Sequence, residues 1–243
     1  MLTEILTDLR DEYDRLDSIL DGLSDDQWRA PSAAVGWSVC DVVVHLAHTE
    51  SSVATTIDMA DPSYTRWDGD MEDAIDVIVK EQATDPASAL AWWREAVGSS
   101  LDALGRADPD QRYTWAAAPL RPAALATTRL AEHWAHALDI TEALDIDLPD
   151  TDRLRHIAWL GHRTIPYGCE VAGIEAHPVR AELDAPSGDT WRFGPDDAAS
   201  TIAGSAGVWC RVGAQRIRPE ASGLRTSGPH ADAMLGVLRN FAA

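Results

Sequence analysis

The chain has 243 residues, 45% of them hydrophobic, enough for a packed core without staples. Forty acidic against twenty basic residues give a formal charge of -20, which repels phosphate backbones and anionic headgroups and argues against nucleic acid and membrane as partners. Three scattered cysteines, Cys40, Cys169 and Cys210, no signal-peptide pattern at the start and no run of membrane-span length lead us to expect a reducing, cytoplasmic setting.

Leu2, Ile5, Leu6, Leu9, Tyr13, Leu16 and Leu20 recur at three- and four-residue steps opposite Glu4, Asp8, Asp11, Asp14 and Asp17, the pattern of an amphipathic helix. After a loop over 31–37, Ser38 followed by Asp41 reads as an N-cap with an acidic first turn, and a second helix runs to about residue 60. Turn formers occupy 63–69. Helical patterns resume over about 71–83 and from Pro86 to about Arg106, where Asp108-Pro109-Asp110 stops them. The next helix spans about Arg121 to Leu144, and a further one about Thr151 to Val171, with Pro166 ending or kinking it. Long amphipathic helices with mostly short connections predict an up-and-down bundle.

From about residue 177 the texture changes. Residues 179–184 alternate at period two, Pro186-Ser187-Gly188-Asp189 is a turn signal, and Thr190 to Phe193 reads as the returning strand. A strand over 200–204, a helix over 206–215, a short strand over 224–226 and a final helix over 230–241 complete a small α+β unit. The boundary is expected near Gly173, dividing the chain into a helical domain over 1–174 and an α+β domain over 175–243.

Glu132 and His136 are four residues apart in the long helix over 121–144, so both side chains share a face. His45 interrupts an apolar stripe in the helix that follows Ser38 and is available as a third donor. One carboxylate and two imidazoles from separate helices leave coordination positions open for water or substrate. Each half alone also reads as a hydrogen-bonded core histidine or a chance spacing. Taken together they mean more, because burying Glu132 unpaired would cost roughly several kcal/mol, a penalty that coordination removes.

Gly36-Trp37-Ser38-Val39, Val44-His45-Leu46-Ala47, Arg129-Leu130-Ala131-Glu132 and His136-Ala137-Leu138-Asp139 resemble the metal-binding pattern of the DinB-like superfamily. More closely they resemble its mycothiol-dependent maleylpyruvate isomerase branch. The resemblance implies a DinB-like up-and-down four-helix bundle followed by a small α+β domain. It also implies a divalent ion, usually zinc, on a second-helix His and a later Glu-xxx-His pair, positions that match His45, Glu132 and His136. His48 would then either support the ligands from behind or face solvent, and His133 points about a quarter-turn away; His156, His162, His177 and His230 match no ligand spacing. The run Ile202 to Arg216 resembles the branch's C-terminal domain, and Arg216 matches an arginine at the end of a helix that faces the pocket, which makes it the catalytic candidate. A helix-end arginine satisfying the local dipole is the other reading of Arg216, and Arg129 is a second candidate cation for a dicarboxylate. Asp139 is read either as orienting His136 or as an ordinary helical acid, Trp37 and Trp134 as core aromatics or pocket walls, and Cys40 as a buried, inert thiol.

The function implied is a metal-dependent enzyme that activates a low-molecular-weight thiol of the mycothiol type for isomerisation of, or S-transfer to, a small electrophile, acting as monomer or homodimer. The same donor set suits a hydrolase using metal-bound water, or a non-catalytic DinB-like protein that binds metal or a small molecule.

Overall fold

The computed structural model describes residues 2–59, 71–115 and 118–241; the turn formers over 63–69 lie outside them. The chain divides into two compact units, Met1–Leu148 and Pro149–Ala242.

In the first unit the stripe Ile5, Leu9, Tyr13, Leu16 and Leu20 is buried along α1 (Leu2–Asp21), as its periodicity predicts. The short α2 (Asp25–Arg29) gave no periodic signal, since five residues make fewer than two turns; it is held by a Ser24–Gln27 capping box and buried Trp28. α3 (Val39–Met59) opens on a reciprocal cap: Ser38 Oγ accepts from the Asp41 N–H at 3.2 Å while Asp41 Oδ2 accepts from the Ser38 N–H at 2.9 Å. Val42, Val43, Val44, Leu46 and Ala47 are all fully buried, so this helix has almost no solvent face in its first half. α4 (Met71–Glu81) follows, then α5 (Pro86–Arg106), whose Asp85 caps the N–H groups of Ala87 and Ser88, and α6 (Pro122–Ala143). α1 and α3 each pack on both α5 and α6, which makes these four the bundle; α2 and α4 lie against α3.

In the second unit the helix expected over 151–171 is two, α7 (Leu154–Arg163) and α8 (Ile165–Ala172), broken at Thr164. Pro166 is the cause: with no N–H and a ring that crowds the preceding turn, it fits the first turn of α8 and not the interior of one long helix. Gly173, in the left-handed region at φ 67°, closes α8. β1 (Arg180–Asp184), β2 (Thr190–Phe193), β3 (Thr201–Ser205), α9 (Ala206–Gly213), β4 (Arg225–Ser227) and α10 (Ala231–Gly236) follow. The four strands lie in the order β2-β1-β3-β4, with β1 and β3 parallel and both edge strands antiparallel to their neighbours. Ala181, Leu183, Trp191 and Ile202 are buried, and α9 packs on β1 and β3 while α7 packs on α9. The protein is thus mainly helical with a small four-stranded sheet near its C-terminal end.

The units meet in sequence at 148/149, not at the expected 174/175, because α7 and α8 pack with the sheet unit. Trp209 Nε1 donates to the Ala158 carbonyl at 3.2 Å, Arg211 Nη1 to Asp150 Oδ2 at 2.9 Å, and Thr164 Oγ1 to the Arg239 carbonyl. α8 also comes so close to the chain at Val237 that a Cβ on Gly168 would overlap the Val237 carbonyl oxygen. α10 ends at Gly236, short of the expected residue 241. Among the described residues no helix is long and apolar enough to cross a membrane.

Gly168→Ala is therefore expected to lower the unfolding free energy by about 1–3 kcal/mol through overpacking. Gly98→Ala, at an exposed position of α5 with open space around it, is expected to raise it by up to about 1 kcal/mol. Urea unfolding midpoints of the two variants check both signs.

Candidate metal centre

α3 brings His45 and α6 brings Glu132 and His136 to one place, where a ligand atom from each lies within 4.8 Å of the others. His45 Nε2 is 2.9 Å from Glu132 Oε1, and His136 Nε2 is 3.5 Å from the same oxygen. The two imidazoles meet edge to face with centroids 4.9 Å apart. Side-chain exposure is 4% for His45, 25% for Glu132 and 15% for His136, so the cluster is sheltered yet open on the side of α6. This is the one group of three or more potential metal donors among the described residues.

His136 Nδ1 lies 2.9 Å from Asp139 Oδ2, and Asp139 is fully buried. A carboxylate on Nδ1 holds the proton there and leaves Nε2 to face Glu132, which is the usual way a protein orients a metal-binding imidazole. Of the two sequence readings of Asp139, the orienting one matches its position. The electrostatics follow from burial and these contacts. Burial pushes His45 down to about 4, against the opposing hydrogen bond to Glu132, so it is a neutral donor at pH 7. Burial acts against the charged form of His136 too, but the hydrogen bonds to Asp139 and Glu132 outweigh it and bring that group up to about 9. Burial alone would raise the Glu132 carboxyl; hydrogen bonds from His136 and His45 and the charge of Arg129 hold it well below the usual carboxylate range. A carboxylate so held, flanked by two imidazoles, is a donor set of the kind that binds a divalent transition ion.

The remaining sequence candidates fall elsewhere. His48, one turn beyond His45, is not part of the cluster. His133 is fully buried on another face of α6: its Nδ1 lies 3.1 Å from the Arg129 carbonyl and its Nε2 accepts from Trp93 Nε1 at 3.1 Å, which leaves neither nitrogen for a metal. Arg129 is not available to a substrate. It is buried, donates from Nε to Glu50 Oε1 at 2.8 Å and from Nη2 to Thr49 Oγ1 at 2.7 Å, and lies over the Trp115 ring. Trp134 is a core aromatic, whereas Trp37 lies against the cluster, 5.1 Å from the His45 ring centroid. Cys40 is buried, and burial pushes its thiol up to about 11.

Arg216 belongs to the second unit. α9 ends at Gly213, so Arg216 lies beyond the helix rather than at its last residue. The helix closes with Gln215 at φ 59°, the Gln215 N–H on the Val212 carbonyl and the Arg216 N–H on the Arg211 carbonyl, a Schellman arrangement. Arg216 Nη1 donates to the Ala214 carbonyl at 2.7 Å, so part of the guanidinium serves the orphan carbonyls of the helix end, as the dipole reading anticipates.

What the sequence did not signal is Glu50. A charged residue in a helix that is apolar on nearly every side has to be paired, and that was the available clue; its partner, 79 residues away, was not identifiable from spacing.

A family model described as the mycothiol maleylpyruvate isomerase N-terminal domain matches residues 9–141. Uncharacterized proteins of Mycobacterium tuberculosis strains H37Rv and CDC 1551 are each 34% identical over 246 residues, covering 98% of this chain and 95% of theirs. Crystal structures of the mycothiol-dependent maleylpyruvate isomerase and of a histidine-to-alanine mutant of it share the fold, with TM-scores of 0.61 and 0.62 at 16% identity, over 94% of this chain and 96% of those.

With side-chain exposures of 3% and 0%, the Arg129–Glu50 pair leaves either partner stranded if the other is removed. Arg129→Ala and Glu50→Ala are each expected to cost about 3–5 kcal/mol of stability, and an Arg129→Met/Glu50→Leu double variant to recover most of it, as read by urea unfolding.

Proposed function

This chain belongs to the mycothiol maleylpyruvate isomerase family, and from that premise we propose that it is a metal-dependent enzyme that activates a low-molecular-weight thiol of the mycothiol type. It uses the thiol for isomerisation of, or S-transfer to, a small electrophile. The observation that carries the reading is the convergence of His45, Glu132 and His136 from two helices, with three protein donors in place of four.

A divalent ion bound there, zinc by donor type, supplies positive charge that lowers the pKa of a thiol brought against it. His45 would serve as the neutral donor and Glu132 as the anionic one, while His136, oriented by Asp139 at Nδ1, would give up its Nε2 proton on binding the ion. The thiol has to come from outside the chain. All three cysteines are buried, and burial pushes the thiols of Cys40 and Cys210 upward, away from the thiolate. Arg216 is our candidate for the cation that meets an anionic electrophile, as the resemblance of the run Ile202 to Arg216 implies.

The test uses purified protein loaded with Zn2+. His45→Ala and His136→Ala are expected to abolish stoichiometric Zn2+ uptake by calorimetry while the apo variants keep melting temperatures within a few degrees of the apo wild type. The loaded wild type is expected to bind mycothiol and to consume a conjugated electrophile only when the thiol is present. Loaded protein that binds no thiol, or consumes the electrophile equally without it, would sink the reading. Arg216→Ala is expected to raise KM for an anionic electrophile about tenfold or more, with Zn2+ stoichiometry unchanged.

A further inference from the structure

Trp37 ends the loop that precedes α3, and its indole lies against both imidazoles of the cluster. The ring centroid is 5.1 Å from that of His45 and 6.2 Å from that of His136, and the indole is near-parallel to the His136 ring at 25°. The indole is tied on its polar side: Nε1 donates to Asp76 Oδ1 at 3.1 Å, and Asp76 belongs to α4, a helix outside the four-helix bundle. Asp76 is in turn paired with Lys80 one turn further on.

The loop itself is clamped at its other end. The Ala33 N–H donates to the Asp139 carbonyl at 2.9 Å, the same residue whose carboxylate holds His136. Ser32 Oγ donates to the Trp37 carbonyl at 2.9 Å, closing the loop on itself. Backbone and indole are therefore anchored separately, the first on α6 and the second on α4. The ring cannot swing off the imidazoles while its N–H stays on Asp76.

We propose that Trp37 and Asp76 form a latch over the metal centre, with the indole covering two of the three donors and Asp76 holding it closed. The proposal rests on the metal reading above and adds a kinetic role to it. Release of a chelated ion needs an incoming ligand to reach it and the imidazoles to rotate away in turn. A flat apolar ring against both imidazoles obstructs both events. Trp37 and Asp76 are positioning residues in this sense: they set how fast the centre opens, and they donate no electron pair to the ion.

The full-length protein loaded with Zn2+ is mixed with excess chromophoric chelator and the release rate is recorded. Trp37→Phe, which keeps a ring without the N–H, and Asp76→Ala, which leaves the indole in place, are each expected to release Zn2+ about fivefold faster or more at unchanged stoichiometry. The double variant is expected to release it no faster than the quicker single, because both substitutions break one contact. Asp76 sits at a partly exposed helix position, so its variant folds whatever Trp37→Phe does. The emission difference between wild type and Trp37→Phe is expected to be quenched on loading with Ni2+, which reports the indole beside the ion. Single variants within about twofold of the wild-type rate, multiplicative effects in the double, or a difference emission untouched by saturating Ni2+ would each overturn the latch. A wild-type protein that takes up no Zn2+ overturns the metal reading itself, and the latch with it.

Discussion

The buried pair between Arg129 on α6 and Glu50 on α3 is the constraint on which the rest of the first unit depends. Two opposite charges at 2.8 Å, nearly sealed from water, are stable only while both helices keep their present register. The Thr49 hydroxyl takes a further guanidinium N–H, and the His133 ring lies edge-on to Tyr13 and tilted against Trp93 beside the same carboxylate. Glu50 is five residues beyond His45, about 7 Å of helix, and Arg129 is three before Glu132, about 4 to 5 Å. The lock therefore lies close to the point where the candidate ligands meet, and a slide of one helix that separated His45 from Glu132 would also separate Arg129 from Glu50.

Around that lock the polar groups are arranged so that each serves the next. Asp139 fixes His136 through its carboxylate and holds the loop before α3 through its carbonyl. The loop carries Trp37 to the imidazoles, and α4 holds the indole. A neutral His45, a Glu132 kept ionised and an oriented His136 are what a divalent ion requires, and each state follows from burial set against a named contact. Burial pushes the thiols of Cys40, Cys169 and Cys210 upward, away from the thiolate.

The long bundle helices were legible because their signals are local. Apolar spacing marked α1, the Ser38–Asp41 cap marked the start of α3, and Pro86 marked the start of α5. β2 was placed to the residue and β1, β3 and β4 to within a residue, since alternation and turn residues are local as well. Short elements escaped: α2 holds too few residues to show a period, and the break at Thr164 depended on whether Pro166 would kink one helix or open a second. The boundary at 148/149 could not be found from composition, because α7 and α8 look like more of the helical part until their partners in the sheet unit are known.

The sequence by itself determined which residues could ligate a metal and on which helices they would lie, because residue type and helical period are properties of the chain alone. It likewise determined that a bundle precedes a small sheet unit. Only the tertiary structure decided that Arg129 is a sealed structural cation and not a substrate anchor, that Asp139 orients His136, and that Trp37 lies against the His45 and His136 imidazoles with its N–H on Asp76. The reason is physical. Each of these depends on which side chain lies opposite which across two packed helices or a loop, and pairing energies between groups tens of residues apart leave no periodic trace along the chain.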